Sequence, residues 1–250
     1  MDGVENKTAV IVGGTGEIGK AISLGFADGG AKVAVCDTDQ KQVDSIVEAI
    51  KGKGGKAFGL AVDPAKPEAV KAAVSKIKAE FGSIDILVNN VDDSEGFEIA
   101  DVSDDRWSNS VNKNLNSVLY FCREIIPGMR ENKYGRVVNI TDIDYLGWRK
   151  GKVNCSATKA AIFGLTRSLA LEGAHDNVTT NCLIKGETAG SDLSDDERAK
   201  MASRTPVKRL GTPEDIVRTV GFFASQKAKY ITGQMLFVCG GKSLYSSMAF

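Results

Sequence analysis

A chain of 250 residues with 42% hydrophobic side chains is long enough to bury one substantial core, and it is read as a single domain over residues 1–250. Its 32 basic and 32 acidic side chains cancel, which removes any overall electrostatic case for nucleic acid or an anionic membrane as partner. Five cysteines, at 36, 122, 155, 182 and 239, form no C-x-x-C pair, and the opening MDGVENK passes too soon into TAVIVGG for a signal peptide or membrane span, so reduced thiols and a cytoplasmic protein are expected.

In chain order, Thr8 to Val12 is a short β-branched apolar run, followed by GGTGEIG and an amphipathic segment carrying Ile18, Ile22, Leu24 and Phe26. The pattern predicts strand, tight turn and helix. Gly13, Gly16 and Gly19 stand at G-x-x-G-x-x-G spacing, which permits a sharp turn and close approach of a pyrophosphate to a helix N-terminus. A second strand, Lys32 to Cys36, ends at Asp37. A carboxylate there accepts the ribose hydroxyls of NAD and repels the extra phosphate of NADP. An ordinary acidic loop residue is the plainer alternative.

Alternation continues with a helix from about Lys41 to Lys51, a strand at Ala57 to Val62, a helix near Glu68 to Phe81 and a strand at Ile84 to Asn89. A fifth strand is predicted at Arg136 to Ile140. The long helix after it repeats apolar residues at three- and four-residue spacing, through Ala157, Ala160, Ala161, Phe163, Leu165 and Leu169. A sixth strand at Asn177 to Ile184, a helix opened by Thr212, Pro213 and Asp215, and a last strand at Gln234 to Val238 complete the series. Repeated βα units predict an α/β, Rossmann-like, doubly wound domain: a seven-stranded parallel sheet with helices on both faces.

Cys155 and Lys159, four apart on the long helix, share one face. With GRVVNIT before them and AIFGLTRSLALEGAHDNVTTNCLIKG after, they resemble the active-site region of the short-chain dehydrogenase/reductases, which carry Tyr-x-x-x-Lys here and a serine upstream of the tyrosine. The resemblance runs from about residue 6 to 245. It puts Cys155 at the tyrosine position and Asp142 at the serine position, and it keeps Lys159. The family's water-holding asparagine falls on Asn114, in the run that begins at Trp107. Cofactor contacts are implied from Gly13, Gly16, Gly19, Asp37, Asp63, Asn89 and Lys159, with Asp63 beside the adenine.

Departures from the family pattern are Val12 and Glu17 in the glycine loop, Val91 and Asp92 where N-N-A-G is usual, and Lys185 in place of a proline. Carboxylates at 17 and 92 are expected to oppose phosphate or crowd the ribose and nicotinamide, although Asp92 reads equally as a solvated loop acid and Asn114 as a buried structural amide. The loop with Trp148, Arg149, Lys150 and Lys152 stands where the family builds a wall of its substrate pocket. It reads as a receiver of an anionic group or as a solvated charge run. SDLSDDERAKMASR reads as a lid by position or as a surface helix.

In the family, the tyrosine exchanges a proton with the carbonyl or alcohol while hydride moves to or from nicotinamide. The lysine lowers the tyrosine's pKa and holds the ribose, and the serine donates to the same oxygen. A thiol at 155 ends about four to five ångströms short of a phenol oxygen, whereas proton exchange needs about 3 Å. A nearby ammonium is expected to lower that thiol's pKa. Ionised Asp142 only accepts hydrogen bonds, opposes a developing alkoxide, and has Lys159 as an alternative partner.

The reading is a catalytically silent subunit, drifted at separate positions, with NAD binding weakened or lost. Its implied partner is a homologous active subunit, together forming a hetero-oligomeric NAD-dependent alcohol dehydrogenase of the hydroxyacyl-CoA type. The implied assembly is a tetramer of family-type dimers, packed through the long helix, the Thr212 helix and the last strand. Two alternatives stay open: an active NAD-dependent oxidoreductase with atypical Cys155 and Asp142 chemistry, and an NAD(H)-sensing regulator.

Overall fold

The computed structural model describes residues 3–189 and 193–245. Its strands are β1 Thr8–Val12, β2 Lys32–Asp37, β3 Lys56–Ala61, β4 Ile86–Asn89, β5 Gly135–Asp142, β6 Val178–Lys185 and β7 Met235–Val238. Around them run α1 Glu17–Asp28, α2 Gln40–Gly52, α3 Pro67–Phe81, α4 Asp104–Val111, α5 Ser117–Glu131, α6 Val153–Gly173, α7 Asp195–Ser203, α8 Pro213–Ala224 and α9 Lys242–Tyr245. The strands pair in parallel in the order β3-β2-β1-β4-β5-β6-β7, the Rossmann-like sheet that the alternation predicts.

Alternating side chains send each strand into two cores. Val10 and Val12 of β1 join Val70 and Ile77 of α3 and Phe121 and Ile125 of α5 on one side of the sheet. Ala9 and Ile11 join Ile22 and Phe26 of α1 and Ile216 and Val220 of α8 on the other. Local chemistry sets the helix starts: Asp39 accepts from the Lys41 and Gln42 amides, and Thr212 with Asp215 forms a reciprocal cap on α8. Ser194 and Glu197 cap α7 in the same way, and α7 buries none of its residues. The segment read as lid or surface helix is therefore a surface helix over 195–203. Positions 191 and 192 of that reading lie outside the described residues.

Two boundaries matter for the site. β5 runs on to Asp142 and β6 to Lys185, and the register sets these two residues opposite each other. The strand order reverses between β1 and β4, the point at which open α/β sheets form a crevice at the carboxyl ends of their strands. Among the described residues, no helix is long and apolar enough to cross a membrane. All five cysteines are free and buried, and burial pushes the thiols of Cys36, Cys122 and Cys182 up to about 12.

Candidate functional site

A cleft of about 580 Å³ opens over the carboxyl ends of β1, β2 and β4. The three loop glycines do different things there. Gly13 has φ +69°, and a Cβ on it would stand 2.2 Å from the Asn90 carbonyl oxygen. A Cβ on Gly19 would stand 2.0 Å from the Gly13 carbonyl oxygen. Both positions let backbone lie on backbone. Gly16 caps α1 and borders the cleft, and a Cβ on it would meet nothing within 4 Å.

Asp37 borders the cleft as the spacing predicts, and it also fastens the glycine loop to β2. One carboxylate oxygen accepts from the Thr15 amide at 3.0 Å and the Thr15 hydroxyl at 2.6 Å; the other accepts from the Thr38 amide at 2.7 Å. Thr15 was not singled out from sequence, although a hydroxyl inside a glycine loop is the signal that could have found it. Asp63 borders the cleft and accepts from the Ala65 amide at 3.0 Å, closing the turn around Pro64. Asn89 is elsewhere. It is fully buried, donates to the Asn139 side chain at 2.8 Å, and so braces β4 against β5. The cleft-bordering amide is Asn90, which donates to the Gly13 carbonyl at 3.0 Å.

At its far end the cleft meets four charges. Lys159, 4% exposed, donates to Asp142 and, at 2.7 Å, to Asp92. The Lys185 ammonium lies 3.1 Å from Asp92 and 3.8 Å from Asp142. The second Asp142 oxygen accepts from the Asp144 amide at 2.8 Å, so both of its oxygens are occupied. Asp92 is the outermost member, its side chain one-third exposed at the cleft. Burial by itself would raise the Asp92 pKa, but Lys185 and Lys159 outweigh it and hold the carboxyl well below the usual range. Burial likewise pulls Lys159 down, but Asp92 and Asp142 outweigh it and hold its pKa above the ordinary lysine value. Asp92, Lys159 and Lys185 also border, together with Asn114, Thr141 and Ile162, a void of about 10 Å³.

The quartet corrects two sequence readings. Asp92 is an ion-pair partner rather than a free loop acid. Asp142 pairs with Lys159, the alternative partner its charge offered, but Asp92 and Lys185, read as separate departures, join that pair in one charge-balanced cluster.

Cys155 and Asn114 face a different task. The Cys155 thiol donates to the Glu95 carbonyl at 3.3 Å, and burial raises its pKa despite Lys152 and Lys159, reversing the expected depression. Asn114 clamps the Asp93 backbone, accepting its amide at 2.9 Å and donating to its carbonyl at 3.0 Å. Asn154, at the start of α6, donates to the Glu95 carbonyl at 2.9 Å and accepts the Phe97 amide at 3.3 Å. Together these side chains fasten the Asp93–Phe97 backbone over the beginning of α6.

Tyr145, the nearest phenol in sequence, packs edge-on against Phe163 with ring centres 4.4 Å apart. The basic aromatic loop meets anions of its own chain. Arg149 lies 2.7 Å from Glu187 and 3.3 Å from Asp144, and its guanidinium stands over the Trp148 ring. Lys152 donates to the Ser94 carbonyl.

Against this geometry, residues 14–243 match the family described as Enoyl-(Acyl carrier protein) reductase. The chain is 39% identical over 243 residues to the (2S)-[(R)-hydroxy(phenyl)methyl]succinyl-CoA dehydrogenase subunit BbsC of Thauera aromatica, covering 97% of both chains. It is 35% identical over 248 residues to subunit BbsD of the same organism, covering 98% and 99%. A 3-oxoacyl-[acyl-carrier-protein] reductase FabG of Staphylococcus epidermidis is 35% identical, with 94% of this chain and 98% of that one covered. Among solved structures, a short-chain dehydrogenase/reductase from Burkholderia xenovorans superposes with a TM-score of 0.90 at 27% identity, covering 96% of this chain and 98% of the other.

Proposed function

The chain belongs to the short-chain dehydrogenase/reductase family, and from that premise we propose that it is the catalytically silent subunit of a two-subunit, NAD-dependent dehydrogenase of hydroxyacyl-CoA alcohols. One observation carries the reading: both partners of the Lys159 ammonium are carboxylates, Asp92 and Asp142. A family lysine works by its positive charge beside a phenol and a ribose. Here that charge is cancelled, and the group at the serine position is an acceptor that would oppose an alkoxide forming on the substrate.

The remaining position supports the same reading. A thiol that donates into the Asp93–Glu95 backbone, with its pKa raised by burial, is poorly placed to exchange a proton with a substrate oxygen. Losing the acid–base group alone costs about 10²- to 10⁴-fold. The residues suit the adenosine and pyrophosphate half of NAD, through Gly16 and Asp37 at the open cleft. They do not suit the nicotinamide half, where the quartet stands.

Assembly is the function that this leaves. The chain resembles both named subunits of one dehydrogenase over nearly its whole length. Its β7 edge carries no further strand among the described residues, and Leu236, Phe237 and Phe222 of α8 are each about two-fifths exposed there. Such an apolar edge suits the homologous, active subunit, in a tetramer of two dimers.

The test is to purify the chain alone and co-expressed with a homologue that keeps the tyrosine, and to follow NAD reduction with a hydroxyacyl-CoA alcohol. Turnover is expected only from the co-purified pair. Cys155→Ala in this chain should leave the pair's rate within about twofold, whereas loss of the homologue's tyrosine should cost about 10²-fold or more. Ordinary turnover by the isolated chain would overturn the reading.

A further inference from the structure

We propose that the Asp93–Phe97 segment is a clasp, shut over the start of α6, that fills the space which a phenol at position 155 and a substrate oxygen beside it would need. The chain is thereby closed to an alcohol substrate, besides being short of the groups to convert one.

The segment forms no helix or strand, yet its backbone is held throughout. Loop backbone drawn away from water must find other partners, and here they are side chains. Asn114 takes both polar groups of Asp93, Lys152 donates to the Ser94 carbonyl, and Asn154 takes the Glu95 carbonyl and the Phe97 amide. Asn114 and Asn154 are 4% and 0% exposed, and Asn154 is itself steadied by the Ser110 hydroxyl of α4 at 2.9 Å. Opening the segment strands both buried amides, which is costly for groups that have left water. At its far end the Arg106 guanidinium stands 4.7 Å from the centre of the Phe97 ring.

Backbone also lies on backbone across the closure. A Cβ on Gly96 would stand 2.1 Å from the carbonyl oxygen of Gly151, itself at φ +67° in the turn before α6. Only glycine lets the two loops meet this closely. The closure reaches position 155: Cys155 is fully buried, with the Glu95 carbonyl 3.3 Å and the Asp93 carbonyl 3.8 Å from its sulfur. A phenol extending about four to five ångströms further along the thiol's direction runs into that backbone. A substrate oxygen, which must come within about 3 Å of the group that exchanges its proton, meets the same obstacle. None of Asn114, Lys152, Asn154 and Cys155 belongs to the charged quartet, so a hydroxyl restored at 142 leaves the clasp in place.

The inference rests on the silent-subunit reading, which puts position 155 at the proton exchange, yet the two fail separately. An open clasp in a chain without turnover removes this inference alone, and turnover by the isolated chain removes that reading. Amide hydrogen exchange in the full chain is the test. The Asp93 and Phe97 amides, held by Asn114 and Asn154, should exchange about 10²-fold or more slowly than those of Ser94 and Gly96, which have no acceptor among the described residues. Cys155→Tyr should cost them about tenfold or more of that protection, and Cys155→Ser should keep it within about twofold. Where the phenol prevents folding, Gly96→Ala forces the closure from its other side: Phe97 exchange and iodoacetamide alkylation of Cys155 should each quicken about tenfold. Full protection in folded Cys155→Tyr or in Gly96→Ala, or wild-type Asp93 and Phe97 amides exchanging as fast as Ser94, would overturn the proposal.

Discussion

The two ends of the cleft are built on opposite principles. At the glycine loop, close packing is confined to Gly13 and Gly19, and the third glycine leaves its space open. At the α6 end, four side chains from β5, β6, α6 and the loop after β4 fill the space with charges that answer one another. A site that merely lost its catalytic groups would be left with an unpaired lysine, a costly group to bury. Here Asp92 and Asp142 both pair with that lysine, so the far end is held by ion pairs and the near end is open.

The comparison is tested most severely by removing its central cation. Lys159→Met leaves Asp142 and Asp92 with Lys185 as their remaining ammonium, and Lys185 is 3.8 Å from Asp142. Breaking a buried pair by deleting one partner costs about 3–5 kcal/mol. A loss of that size in urea unfolding is expected, against a change within about 1 kcal/mol for Gly16→Ser at the open end, where serine is a better helix cap than glycine. Equal effects at the two ends would erase the distinction between them.

How much of this was legible in the sequence differs along the same axis. The strands, their parallel sense and the glycine loop follow from periodicity and spacing, because each depends on neighbours close in the chain. Asp142 was placed by its distance from Cys155, and its pairing with Lys159 could be argued from charge. The role of Lys185 could not. It meets Asp142 only because β5 and β6 run two and one residues past their apolar cores and pair in a register that no local pattern announces. Asn89 and Asn90 show the same limit at one-residue resolution: adjacent in sequence, they fall on opposite sides of the boundary between sheet interior and cleft. For Cys155 the nearby lysines were visible in the sequence, but the burial that outweighs them was not.

A gentler test of the quartet is acid. Asp92 has a folded pKa below its unfolded value, so its contribution is complete above about pH 4 and fades as pH falls towards the folded value. Lys159 is shifted the other way, so its contribution is complete below about pH 10 and is lost only as pH rises through its folded value. Between those limits both are fully present. Urea midpoints of the wild type should therefore fall more steeply below about pH 4 than those of Asp92→Asn, the two profiles running parallel at neutral pH. A variant with the same acid limb as the wild type would show that Asp92 is not held by the lysines.

The smallest expected effect concerns Cys155, and it separates packing from chemistry at the start of α6. If the thiol serves to fasten the Asp93–Glu95 backbone, a serine hydroxyl can donate to the Glu95 carbonyl in its place, and Cys155→Ser should change stability by about 1 kcal/mol or less. The same burial predicts low reactivity. Burial raises the thiol's pKa above its ordinary value, so the thiolate is disfavoured, and its sulfur is enclosed besides. Alkylation by iodoacetamide in the folded protein should then run about 10²-fold slower than that of a free thiol, read by mass spectrometry of the Cys155 peptide. A fast-reacting Cys155 would mean an accessible thiolate beside Lys159, which is what the atypical-enzyme alternative requires and what a fastening role does not.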